Sequence, residues 1–208
     1  MQEIHPHVKA RIAGLIYLMV FLSAPSGAAG ATPVRMVINL ACDLGVAILL
    51  YDLLRPVSKT VSLLAALFRL IFVLVMAVNS LNYFGVTEWV QHNHSAAAFD
   101  AAYGMALVPF GMSCILIGCL IFKSTFLPRV LGVLMVSAGA AYLIFLWPRL
   151  GGRLFIPWIV VPAVVGEASL TLWLLIMGVN NVRWKQQDDV ARETLPLGIF
   201  QERRRDIR

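Results

Sequence analysis

Apolar residues fall in six long blocks separated by short polar joints. The blocks run over Val8–Ala24 and on toward Ala31, Val34–Leu54, Val57–Gly85, Phe99–Phe122, Thr125–Trp147 and Phe155–Val179. A helix of roughly 20 residues, rising 1.5 Å per residue, crosses a hydrocarbon core about 30 Å thick. No block alternates with the two-residue period of a barrel strand, and a helix satisfies its own backbone in lipid. The pattern therefore predicts an all-α, polytopic transmembrane helix bundle. Its six spans lie at about 8–31, 34–54, 57–85, 99–122, 125–147 and 155–179, with a polar cytoplasmic tail over 180–208. The joints "RPVSK" (Arg55–Lys59), "KSTFLPR" (Lys123–Arg129) and "WPRLGGR" (Trp147–Arg153) are short, which makes neighbouring helices antiparallel.

Composition agrees with the pattern. The chain has 208 residues, 60% hydrophobic and 13% charged, against about 25% charged in a soluble domain. Its mean hydropathy is +0.81. The net charge of +6 would suggest nucleic acid in a soluble protein. Here the basic residues sit at the ends of apolar blocks, as in cytoplasmic membrane loops, so nucleic acid is not an expected partner and membrane lipid is. With the N-terminus inside, Lys9, Arg11, Arg55, Lys59, Lys123, Arg129, Arg183 and Lys185 face the cytoplasm, and only Arg35, Arg149 and Arg153 face out. That asymmetry predicts a multi-pass inner (plasma) membrane protein with both termini cytoplasmic. Trp89, Trp147, Trp158 and Trp184 fall near the expected interfaces. The first block also carries the basic start and small-residue end of a secretory signal; cleavage there would leave five spans.

Three ionisable residues lie deep in predicted spans: Asp43, Arg69 and Glu167. Arg69 interrupts "LLAALFRLIFVLVMAV" (Leu63–Val78). Counted from the cytoplasmic ends of their helices, all three sit ~18–20 Å deep, near the midplane. A charge there costs at least ~2.5–3.5 kcal/mol. At one depth they can satisfy one another, so the second, third and sixth spans are expected to meet with Arg69 between the two carboxylates. One arginine with two carboxylates leaves a single negative charge, which in low dielectric favours keeping one carboxyl protonated. Such a group suits a carrier, an acid catalyst or a purely structural clamp alike.

Polar neighbours extend the cluster. Arg35, Asn39 and Asp43 recur on one helical face. Asn79 and Asn82 stand outward of Arg69 with Tyr83 beside them, and Thr171 shares a face with Glu167. Together they predict a polar cleft running from the outer side to the midplane; simple interhelical hydrogen bonding is the competing reading. Gly111 and Gly118 in the fourth span, and Ala138, Gly139 and Ala141 in the fifth, suit close helix packing. His92 and His94 have metal-compatible spacing near Glu88 and Asp100, but two histidines in a polar loop do not make a metal site, and none is expected. Cys42, Cys114 and Cys119 form no C-x-x-C pair and no disulfide framework. No H-E-x-x-H, G-x-S-x-G, P-loop or dinucleotide fingerprint is present, so no cofactor is expected.

The segments "RIAGLIYLMVF" (Arg11–Phe21), "CDLGVAILLYDLLRPVSK" (Cys42–Lys59), "LLAALFRLIF" (Leu63–Phe72), "FLPRVLGVLMVSAGAAYL" (Phe126–Leu143) and "GEASLTLWLLIMGV" (Gly166–Val179) resemble the bacterial domain of unknown function 4386 family. The resemblance implies a six-helix inner-membrane protein with a retained first helix and no established activity. It carries Asp43, Arg69 and Glu167 inside its blocks. Two departures stand out. The link between the first two helices is short, and helix 4 reads "FGMSC", with Ser113 where relatives often have histidine.

Three functions compete. The first is a binding or transport module for a small apolar or amphipathic solute, or a proton, at the Asp43–Arg69–Glu167 centre. The second is a membrane-embedded enzyme using a carboxyl as general acid on a lipid or isoprenoid substrate. The third is a structural or accessory membrane protein whose charges fix helix register.

Overall fold

The computed structural model describes residues 5–25, 28–85, 95–154 and 158–205, with side chains to residue 193. His92, His94, Glu88 and Trp89 lie outside them. The described residues are helical, with no strand. The helices are α1 (Pro6–Ser23), α2 (Pro33–Leu54), α3 (Lys59–Tyr83), α4 (Ala96–Lys123), α5 (Arg129–Tyr142), α6 (Pro148–Leu154), α7 (Val160–Ile176) and α8 (Asn181–Arg205). Local sequence sets their starts. The side chains of Thr32, Ser58 and Ser95 each accept a first-turn N–H, so α2, α3 and α4 begin on a cap. Pro33 adds a pre-set φ to the first turn of α2.

Six helices form a ring in the order α1, α2, α3, α4, α5, α7 and back to α1. Neighbours run antiparallel, as specific contacts show. Lys9 near the start of α1 pairs with Asp52 near the end of α2. Ser62 of α3 donates to the Tyr51 carbonyl of α2, and Asn79 near the end of α3 donates to Phe99 near the start of α4. Arg11 of α1 donates to the Ile176 carbonyl at the end of α7. An even number of alternating helices closes such a ring without a crossover. One end, called here the basic end, gathers Lys9, Arg55, Lys59, Lys123 and Arg129. The opposite end holds the α1–α2 link, where Arg35 donates to the carbonyls of Ala24 and Gly30, and Asp100 accepts the Ala28 N–H.

The outside of the ring is apolar. Val34, Val37, Leu74 and Val133 are each more than half exposed, whereas Asp43 and Arg69 have 0% exposure. This inverts the usual soluble arrangement and suits a lipid surround. By length and composition α2, α3, α4 and α5 with its 3₁₀ extension to Leu146 can each cross a membrane. A fifth arises if α7 and the first part of α8, bent by 105°, count as one span. The remaining expected span, α1, is 18 residues long with Lys9 and Arg11 in its first two turns.

The bend after α7 has a local cause. Gly178 takes a left-handed φ of +65° and its N–H returns to the Trp173 carbonyl, ending the helix. The polar residues that follow wind into α8. Trp184 is buried in the basic end, and its indole N–H reaches the Leu53 carbonyl at 2.8 Å.

Small residues bring backbones together, as their spacing suggests. A Cβ on Gly118 would stand 2.7 Å from the Gly132 carbonyl oxygen, and one on Gly139 would stand 2.5 Å from that of Gly111. The α4–α5 seam is thus two glycine pairs deep. Gly118→Val should lower stability by about 1–3 kcal/mol, read as a fall in unfolding temperature in detergent; unchanged stability would mean the seam is looser than described.

Candidate functional site

Arg69 sits at the centre of the ring with 0% exposure. Its Nε and Nη2 both donate to Asp43 Oδ1, at 2.9 and 2.6 Å. Two aromatic rings flank the guanidinium as well. Its central carbon lies 4.8 Å from the Tyr17 ring centroid and 4.8 Å from that of Phe110. Carboxylate, α1 aromatic and α4 aromatic therefore hold one cation of α3.

Glu167 is held differently from the expectation. Among the described residues no ion pair joins it to Arg69. The Tyr17 hydroxyl donates to Glu167 Oε2 at 2.9 Å, and the Tyr142 hydroxyl donates to Oε1 at 2.6 Å. The expected arrangement of Arg69 directly between two carboxylates is thus corrected. The physical reason is ring order: α7 packs on α1 and α5, and α1 stands between it and the helices carrying Asp43 and Arg69. Tyr17 bridges the gap, with its ring on the guanidinium and its hydroxyl on the glutamate.

A cavity of about 200 Å³ opens above this centre, on the side away from the basic end. Asp43 and Glu167 lie on its floor, Asn39, Tyr103 and Tyr142 on its walls, and Pro25 and Val160 toward its mouth. Most of the remaining lining is apolar, with the rings of Phe21, Phe72 and Phe110 prominent. A second cavity, of about 10 Å³, lies below Arg69 toward the basic end and is bordered by Tyr51, Ser62, Ala65 and Ser113. That is room for one water. The Asp43–Arg69 pair thus stands as a partition: Asp43 faces the large cavity and Arg69 the small one. Among the described residues, two buried atoms of the pair have no hydrogen-bond partner, Asp43 Oδ2 and Arg69 Nη1.

Other expected residues are placed elsewhere. Asn39 lines the cleft, and its amide donates to the Val20 carbonyl at 3.0 Å and to Ser23 Oγ at 3.3 Å. Asn79 gives its amide to the Phe99 carbonyl, and Thr171 gives its hydroxyl to the Glu167 carbonyl one turn back. Neither lines the cleft, nor does Asn82 near the end of α3. Ser113 donates to the Ala65 carbonyl at 2.9 Å, tying α4 to α3. The cavity is mostly apolar and aromatic, and of the expected polar residues above the charges it includes Asn39 but not Asn79, Asn82 or Thr171. Among the described residues no group of three or more His, Cys, Asp or Glu is placed to hold a metal.

Tyr17, Tyr142 and Phe110 were missed in the sequence. Tyr142, thirteen residues beyond Arg129, shares the depth of the charged groups, but an uncharged side chain in a span gives no signal to single it out.

Residues 26–178 match the family described as Domain of unknown function (DUF4386). The chain belongs to this family. It is also similar to an uncharacterized protein of Archaeoglobus fulgidus, 32% identical over 136 residues, which are 65% of this chain and 76% of that relative. No solved structure matches. Asp43, Arg69, Tyr142 and Glu167 lie inside the matched region, and Tyr17 precedes it.

The geometry predicts a graded response at Tyr17. Tyr17→Phe keeps the ring on Arg69 and removes one donor to Glu167, and should cost ~1–3 kcal/mol. Tyr17→Leu also uncovers the guanidinium and should cost more. Denaturation in mixed micelles measures both; equal losses would show that the stacked ring contributes nothing. Arg69→Met alone should be severely destabilising, by ~3–5 kcal/mol, since it strands a buried carboxylate, and Asp43→Leu added to it should recover most of that loss.

Proposed function

We propose that this DUF4386 member is a six-span membrane protein, with its basic end and both termini at the cytoplasm, that binds and carries a small amphipathic solute. The solute enters the 200 Å³ cleft from the far side and meets the Asp43–Arg69–Glu167 centre. One observation carries the reading. Asp43 Oδ2 is buried, has no partner, and belongs to a residue on the cleft floor. A clamp that served only to fix helix register would fill its own acceptors, because an unfilled one in low dielectric costs several kcal/mol, roughly 2–7 by reference state. An occupant that donates a hydrogen bond removes that cost.

Several features support the details. The cleft is concave and mostly apolar with a few convergent polar groups, as small-molecule sites are. The excess of Lys and Arg at the basic end favours the cytoplasm for that face. α1 supplies Tyr17 to the centre and fills one place in the ring, which supports its counting as a span. The partition between an outer cleft and a small inner cavity suits a carrier that opens to one side at a time.

The test is a panel of small amphipathic solutes, neutral, cationic and anionic, applied to detergent-purified protein. At least one class should raise the unfolding temperature of the wild type, and Ala163→Phe, which fills the cleft wall, should abolish the rise. No stabilisation by any class would contradict a solute site.

A further inference from the structure

We propose that the solute is a small organic monocation, an ammonium group on an apolar body, and that it and a proton occupy the site one at a time. This rests on the cleft being a solute site, and it adds the charge of the occupant. Two carboxylates and one guanidinium meet at this depth, and no other ion pair reaches them among the described residues. With both carboxyls ionised the centre carries one negative charge too many. In low dielectric that excess needs one positive charge, and only one. A proton supplies it, and so does a monovalent cation; both together overshoot. Binding the cation to the protonated centre therefore releases the proton, and the charge of the centre is unchanged.

The positions of the atoms favour an organic cation. Arg69 approaches Asp43 through Oδ1 only, leaving Oδ2 unpartnered. Oδ2 is sealed in the packed floor, with Asp43 at 0% exposure, so an ammonium reaches it as that side chain turns toward the cleft, and the contact then adds a charged hydrogen bond. Asn39 gives its N–H groups to α1, which leaves its carbonyl oxygen as an acceptor on the same wall. The rings of Phe21, Phe72 and Tyr103 line the space around it, and aromatic walls with a carboxylate are how proteins take up ammonium groups. The structure already uses this chemistry at the same depth, where Arg69 lies over the rings of Tyr17 and Phe110. A hard metal ion wants six or more oxygens, which this mostly apolar cleft does not offer. An anion would face two carboxyl groups. The volume, about 200 Å³, suits a body of roughly benzene size, since a cavity of about 150 Å³ admits benzene.

The test is calorimetry on the full chain in detergent, with benzylammonium and its neutral isostere benzyl alcohol as probes. Wild-type protein should bind benzylammonium at least about tenfold more tightly than benzyl alcohol, and the affinity should weaken as the pH is lowered and protons compete. Glu167→Gln removes the excess negative charge while keeping the shape and one of the two acceptor oxygens, so it should erase the preference for the cation. Asp43→Asn should do the same, and the Glu167 variant keeps the test decisive if the Asp43 variant does not fold. Equal affinity for benzyl alcohol, an ammonium affinity indifferent to acidification, or an equal response to sodium ion would overturn the inference while leaving a solute cleft in place. Binding of neither probe, with another class from the panel stabilising the protein, would overturn it as well; no binding by any class would remove the cleft reading itself.

Discussion

A guanidinium that stays charged in the middle of an apolar ring is the constraint on which the other features depend. Arg69 does not shed its proton, so its head needs acceptors and polarisable neighbours from the protein. Asp43 takes two of its N–H groups, the rings of Tyr17 and Phe110 lie beside it, and the small cavity by Ser113 borders the residue. These partners come from α1, α2 and α4, and Arg69 is on α3. Meeting the needs of one side chain thus sets the relative rotation of four helices in a ring of six.

The second carboxyl shows what the ring adds. Glu167 lies on α7, beyond α1, so the link to Arg69 passes through one tyrosine used at both ends. Tyr142 at the end of α5 closes the other side. The floor so formed is charged and hydrogen-bonded, while the walls above it are mostly aromatic and aliphatic. Close packing at the Gly118–Gly132 and Gly111–Gly139 seam keeps α4 against α5. The open volume falls above the floor, among all six helices of the ring.

Much of this was legible in the sequence, and the reason differs by feature. The helices follow from apolar block length, a local property, whereas the caps Thr32, Ser58 and Ser95 lie outside or within a residue of the blocks expected to start at Val34, Val57 and Phe99. The Asp43–Arg69 pair follows from equal depth on consecutive antiparallel helices, where adjacency is nearly assured. The placing of Glu167 does not, since nothing in a single sequence orders α7 relative to α2 and α3. The tyrosines were missed for a chemical reason: an uncharged hydroxyl in a span looks like packing until a carboxylate is seen beside it. Asn79 and Thr171 were misplaced for the converse reason. A polar side chain in a helix often bonds to a backbone carbonyl, and theirs do. The helical form of 181–205 was equally hidden, because its polar composition gives no apolar block to count.

A cleft leads from the end opposite the basic one to the Asp43–Glu167 floor and stops at Arg69. The most direct measurement is one-sided thiol labelling in membrane vesicles with a small impermeant methanethiosulfonate, after the native Cys42, Cys114 and Cys119 are replaced. A cysteine in place of Tyr103, on the cleft wall, should react from the outer face and not from the cytoplasmic face. A cysteine in place of Ala47, by the small cavity beyond the partition, should react from neither. Protection of the Tyr103 position from both faces, or its reaction from the cytoplasmic face alone, would contradict the account.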